Sequence, residues 1–133
     1  MDTETAAPPS ITIPQNMISG TAKGLLVMVD LDVPRGNKRV TNLHWLAPNV
    51  DMSNVKAAVP NAGDVVTYRQ PSPPAGDTPH RYVYLLYAQP ANFSPPQPVT
   101  NLQQNRLGFD VNAFATSAGL GQPVAANFIM VEQ

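Results

Sequence analysis

The chain has 133 residues, no cysteine, and eight Lys and Arg against nine Asp and Glu, a formal charge of −1. A domain of this length buries enough apolar surface to fold without a metal or a disulfide. Disulfides, thiolate metal centres and cysteine nucleophiles are excluded, and the lack of a basic surplus argues against a nucleic-acid partner. Fifteen prolines exclude a helical bundle and predict short strands joined by stiff loops, because proline removes a backbone donor.

Residues 1–10, rich in Thr, Ala and Pro, read as a loose N-terminal arm ahead of a single domain over 11–133. The arm has no basic start and no apolar stretch, so it does not read as a signal peptide, and a cytoplasmic location is expected. The longest apolar runs, Leu25–Val29 and Tyr82–Tyr87, are far too short to span a bilayer, so no membrane insertion is expected. Ile11-Thr12-Ile13 alternates like a short strand ended by Pro14. Gly24 to Val29 is continuously apolar, as in a central strand covered on both faces, and runs into Asp30-Leu31-Asp32-Val33-Pro34.

A polar loop is expected from Arg35 to Asn42, then a strand Leu43-His44-Trp45-Leu46-Ala47 stopped by Pro48, then loop to residue 63. Val65 to Tyr68 is β-prone. Gln70 to Pro79 is a ten-residue loop with four prolines, and it feeds the strongest strand, Arg81 to Tyr87. A second proline-rich loop covers Pro90 to Pro98. One helix is signalled: Asp110 as cap, Val111, Phe114, Ala115 and Ala118 on one face, Gly119 after the last turn and Pro123 as a stop. Val124 to Val131 is apolar enough for a buried strand. The reading is mainly β with one short helix.

Few residues can carry chemistry. The two histidines, His44 and His80, each sit beside a bulky strand. His80 and Tyr82 are two apart and share a side of their strand, as Asp30 and Asp32 do on theirs. Aspartates at the end of a buried strand, a histidine from each flanking strand and a phenol converging at one sheet end make a pocket for a small anion. A carboxylate behind an imidazole fixes its tautomer and favours its charged form. The plainer alternatives are satisfied structural histidines, aspartates bonded to loop N–H groups, and tyrosines that fill a core. The wide gap between His44 and His80 lacks metal-ligand spacing, so no metal and no cofactor are expected. Ser72 is the one serine near His80, and no G-x-S-x-G motif accompanies it.

Taken in order, these motifs resemble those of the phosphatidylethanolamine-binding protein family, which includes the Raf kinase inhibitor protein. The Asp-Pro-Asp-x-Pro signature has its counterpart in Asp30-Leu31-Asp32-Val33-Pro34, with Leu31 in place of the proline. Leu43-His44-Trp45-Leu46 matches a His-Trp-Leu strand. Pro73-Pro74-Ala75-Gly76-Asp77-Thr78-Pro79-His80-Arg81-Tyr82-Val83 matches a second signature, continued by Leu85 to Gln89. Phe109, Phe114-Ala115, Leu120-Gly121 and Pro123 to Phe128 resemble the last helix and strand.

The resemblance implies a β-sandwich-like fold on a large antiparallel sheet, with a pocket at one end for phosphate, acetate or a phospholipid headgroup. By motif match, Asp30, His44, His80 and Tyr82 line that pocket, Pro73 and Pro74 form part of its wall, and Asp32 supports the loop. It further implies a binding protein for small anions or phospholipid headgroups. The alternatives are an inhibitor or scaffold for a protease or kinase, and an accessory factor or enzyme of a fungal biosynthetic pathway. In the last case His44 or His80 would act as acid or base; otherwise no catalytic residue is expected. A short N-terminal segment would leave a sheet edge exposed, which homodimerisation could cover.

Overall fold

The computed structural model describes residues 5–12, 23–53, 56–57, 64–94 and 102–133. Ile13, residues 58–63 and the loop from 95 to 98 lie outside them. Among the described residues seven elements follow in chain order: β1 (Ile11–Thr12), β2 (Lys23–Arg35), β3 (Lys38–Asp51), β4 (Lys56–Ala57), β5 (His80–Ala88), α1 (Val111–Ser117) and β6 (Ala125–Val131). The main sheet is antiparallel, ordered β3-β2-β5-β6, and β1 pairs with β4 in a separate two-stranded piece. Residues 24–29 of β2 form the inner strand the sequence predicts: Leu25 to Val29 are at most 2% exposed.

The stretch from Arg35 to Asn42 is not a loop. β2 and β3 form one long hairpin that turns at Gly36-Asn37, with Arg35 opposite Lys38. Gly36 takes φ 61° at the first central position, as a type II′ turn requires. The polar residues there are those of a two-stranded ribbon reaching beyond the core. Pro48 does not stop β3 either, which runs on to Asp51. β3 is an edge strand of its sheet, and its extra residue near Pro48-Asn49 forms a bulge where proline's missing donor costs nothing.

Side chains divide cleanly between the two faces of the sheet. Leu26, Met28, Trp45, Tyr82 and Leu86 pack together on one face, joined by Ile11 and Tyr68. Leu25, Val27, Val29, Leu43, Leu46 and Tyr87 pack on the other, under Phe109 and Phe114. The helix forms as the sequence predicts: Asp110 caps it by accepting from Ala113 N–H at 3.0 Å, and Phe114 is its buried contact. The expected burial of β6 is corrected. It is an outer strand whose Phe128 and Met130 are 58% and 53% exposed, because nothing among the described residues pairs beyond it.

Candidate functional site

Asp30 closes the ladder between β2 and β5, directly opposite Tyr82, so both side chains stand on the same face. His80, two residues before Tyr82, lies on that face as well. Its Nδ1–H donates to Asp30 Oδ2 at 2.8 Å, and its Nε2–H donates to Asp77 Oδ2 at 2.9 Å. Two carboxylates can only accept, so both ring nitrogens must carry hydrogen and the ring is an imidazolium. Burial opposes that charge, but the bonds to Asp30 and Asp77 outweigh it and raise the His80 pKa above its ordinary 6.5.

Asp77 reaches His80 through a tight turn. Its N–H donates to the Pro74 carbonyl at 3.1 Å, and Gly76 takes φ 84° at the position where a type II turn needs glycine. The same carboxylate is gripped from outside. Arg39 donates from Nη1 to Asp77 Oδ2 at 2.7 Å and from Nη2 to Oδ1 at 2.8 Å, and its Nη1 also reaches the Asp32 carbonyl. The Arg39 guanidinium, and after it His80, hold the Asp77 carboxyl far below the usual carboxylate range. The result is a chain of alternating charge, Asp30, His80, Asp77, Arg39, running from the core to the surface.

His44 enters by a different route. Met28 pairs with Trp45 but Val29 pairs with Leu43, which leaves His44 as the extra residue of a bulge in β3. Bulges re-aim side chains, and here the imidazole meets Tyr82 edge-on at 5.1 Å while His80 lies roughly parallel to Tyr82 at 6.3 Å. His44 Nδ1–H donates to the Arg69 carbonyl at 2.8 Å, and its Nε2 lone pair faces the Asn42 amide at 3.3 Å. Burial lowers its pKa, so His44 is neutral. The Tyr82 phenol is held protonated by burial and by the nearby Asp30 charge, both of which raise its pKa.

Asp30, His44, His80 and Tyr82 are therefore brought into one cluster, each at most 4% exposed. Pro73 is buried and Pro74 exposed, on the loop that carries Asp77. Asp32 stands slightly apart. Its carboxylate accepts from the Arg81 backbone N–H at 2.8 Å and from the Arg81 guanidinium at 2.9 and 2.8 Å, and its own N–H donates to Asp30 Oδ1. Among the described residues no group of three or more acidic or imidazole side chains is arranged to hold a metal.

Sequence reasoning missed three participants. Asp77 was signalled only by its place three residues before His80, next to a turn glycine. Arg39 carries no local signal, since 38 residues separate it from Asp77. Arg106 is 4% exposed and donates to the carbonyls of His44, Thr67 and Gln103, bracing the strand that bears His44; it sits 62 residues from His44 in a polar stretch that gives no hint of burial.

The family model for phosphatidylethanolamine-binding protein matches residues 2–129. This chain belongs to that family. It is 33% identical over 118 residues to phomoidride biosynthesis cluster protein N of Talaromyces stipitatus, covering 83% of this chain and 59% of that protein. It is 39% identical over 109 residues to a 26 kDa secreted antigen of Toxocara canis, covering 77% of this chain and 39% of that one. Among solved structures it resembles a carboxypeptidase Y inhibitor in complex with its cognate proteinase, with a TM-score of 0.62 and 28% identity over 92% of this chain and 64% of that one. The chain thus spans about three-fifths or less of the length of these curated relatives. No helix among the described residues is long and apolar enough to cross a membrane.

Proposed function

We propose that this family member binds small anions, with phosphate or a phospholipid headgroup as the ligand class, and that its own Asp77 carboxylate holds the anion position. The observation that carries this reading is the seating of Asp77 between the His80 imidazolium and the bidentate Arg39 guanidinium. Charge-assisted bonds of this kind are the ones phosphates and carboxylates seek. A phosphate that displaces Asp77 inherits the same donors, and the Gly76 turn is the natural pivot for that exchange. Pro73 and Pro74, on the same loop, would flank the entering group.

Calorimetric titration of inorganic phosphate and of phosphorylethanolamine into wild type, Asp77→Asn and His80→Ala tests this. Removing the internal carboxylate charge should tighten binding, and removing His80 should abolish it. Binding that is untouched in His80→Ala, or no tighter in Asp77→Asn, would overturn the reading.

The likeness to a carboxypeptidase Y inhibitor favours a second reading, inhibition of a carboxypeptidase through protein contacts. Its test is residual peptidase activity of carboxypeptidase Y titrated with this chain; no inhibition at micromolar protein counts against it. A role for His80 as a catalytic acid or base fits less well, since both of its nitrogens are already committed to carboxylates.

A further inference from the structure

A concavity lies on the same face of the sheet, farther along β5 than the charged cluster. It is a cavity of about 550 Å³, within the range that small-molecule sites occupy. Its floor is Leu26, Tyr84 and Leu86, its outer wall is Asn127 and Ile129 of β6, and the N-terminal arm, from Thr5, and β1 line its other side. None of Asp30, His44, Asp77, His80 or Tyr82 lines it, and neither does any charged side chain. An anion or cation would find no counter-charge there and would lose its hydration on entry.

One polar group in this cavity stands out. Tyr84 is half-buried, and its hydroxyl has no hydrogen-bond partner among the described residues and keeps some contact with solvent. Burial pushes its pKa up to about 12, so at neutral pH it remains a phenol with a proton to give. The neighbouring Tyr68 hydroxyl, by contrast, already donates to the Thr5 carbonyl at 2.7 Å. Asn127, an exposed residue, lines the same cavity, and its Oδ1 accepts from the Phe128 N–H at 2.9 Å. A mainly apolar lining, with the Thr5, Ser10 and Thr12 side chains on one side and the Tyr84 phenol and Asn127 on the sheet, defines a ligand by chemistry.

We propose that the cavity between the N-terminal arm and strands β2, β5 and β6 is a binding site for an uncharged, mainly apolar small molecule that offers a hydrogen-bond acceptor to Tyr84. The site is separate from the anion cluster and independent of it. The free donor selects an acceptor-bearing ligand over a pure hydrocarbon, since a buried hydroxyl left unpaired is costly.

The test uses two neutral probes, Nile red, which carries a carbonyl acceptor, and diphenylhexatriene, which carries none. Both should bind one per chain with the blue-shifted emission of an apolar site. Asn127→Trp, at an exposed rim position, should fill the cavity and weaken both by about tenfold or more without changing the melting temperature. Tyr84→Phe should weaken Nile red about two- to tenfold, the worth of one hydrogen bond, and leave diphenylhexatriene unchanged. Phe128→Asp, on the opposite face of β6, and His80→Ala should alter neither. The proposal is overturned if Nile red does not bind the wild type, if either Asn127→Trp or Tyr84→Phe fails to weaken it, or if Phe128→Asp abolishes binding and so assigns it to the exposed outer face.

Discussion

His44 and His80 pack against the same ring, Tyr82, and hold opposite protonation states. The difference comes from what each imidazole bonds. His44 donates one proton to a backbone carbonyl and is otherwise desolvated, whereas His80 donates two protons to two carboxylates. A proton titration followed by NMR should therefore show two histidines diverging from 6.5, His44 downward and His80 upward. Identical midpoints for the two would contradict the arrangement.

The same divergence fixes the pH dependence of stability. His80 has a raised folded pKa, so the stability it adds is complete below about pH 6.5 and is lost as pH rises through that higher value. His44 has a lowered folded pKa, so below about 6.5 the unfolded state takes up a proton that the folded state refuses, and stability falls toward acid. Asp77, with a depressed pKa, withdraws its contribution lower still, below about 3.8. Calorimetric melting from pH 4 to 9 should peak near 6.5. His80→Gln should flatten the alkaline limb and His44→Gln the upper part of the acid limb. An alkaline fall of undiminished slope in His80→Gln would show that another group is responsible.

Arg106 stabilises by reach rather than by ion pairing. Its guanidinium meets three carbonyls from three different residues and the Thr67 hydroxyl. Arg106→Met keeps the volume but orphans those acceptors, and should cost about 2–3 kcal/mol in urea unfolding. Arg106→Lys should recover little, since an ammonium lacks the planar fork. A loss below about 0.5 kcal/mol, the usual size for a surface substitution, would show that water serves these carbonyls equally well.

Gly24 is tight for a reason of space. A Cβ there would stand 2.8 Å from Met52 Sδ and 2.9 Å from Leu86 Cδ1, both on buried side chains. Gly24→Ala should destabilise by about 1–3 kcal/mol through overpacking, although alanine is the better residue for the backbone. The double variant Gly24→Ala with Met52→Ala should lose less than the sum of the two single variants, because Met52→Ala removes the nearer obstacle. Full stability in the single variant would mean that Met52 moves freely.

Several features were decided by sequence alone. The run from Leu25 to Val29 has no polar residue, so it must be covered on both faces wherever it lies. Asp110, the apolar spacing of Val111, Phe114, Ala115 and Ala118, and Gly119 settle the helix locally. Asp30, His44, His80 and Tyr82 could be nominated together because each lies on or beside a strand in a recurring motif. Local rules failed where a residue's meaning depends on its neighbours in space. Pro48 reads as a stop but lies in an edge strand, and the polar stretch from Arg35 to Asn42 reads as a loop because a ribbon beyond the core has no apolar alternation to reveal it.

Tertiary structure decided the electrical character of the site. Alternation along β3 would set His44 opposite both Leu43 and Trp45; the bulge breaks that alternation and separates Leu43 from Trp45 onto different faces. Nothing in the chain marks Arg39 as the partner of Asp77, or Asp77 and Asp30 as the two partners that set the charge of His80. The exposure of β6 follows equally from sheet order, since an apolar strand is buried only if another element lies against it. Hydrophobic pattern is a property a segment carries with it, whereas burial, a pKa, a bulge and an edge belong to the contacts between segments, and those exist only once the chain has folded.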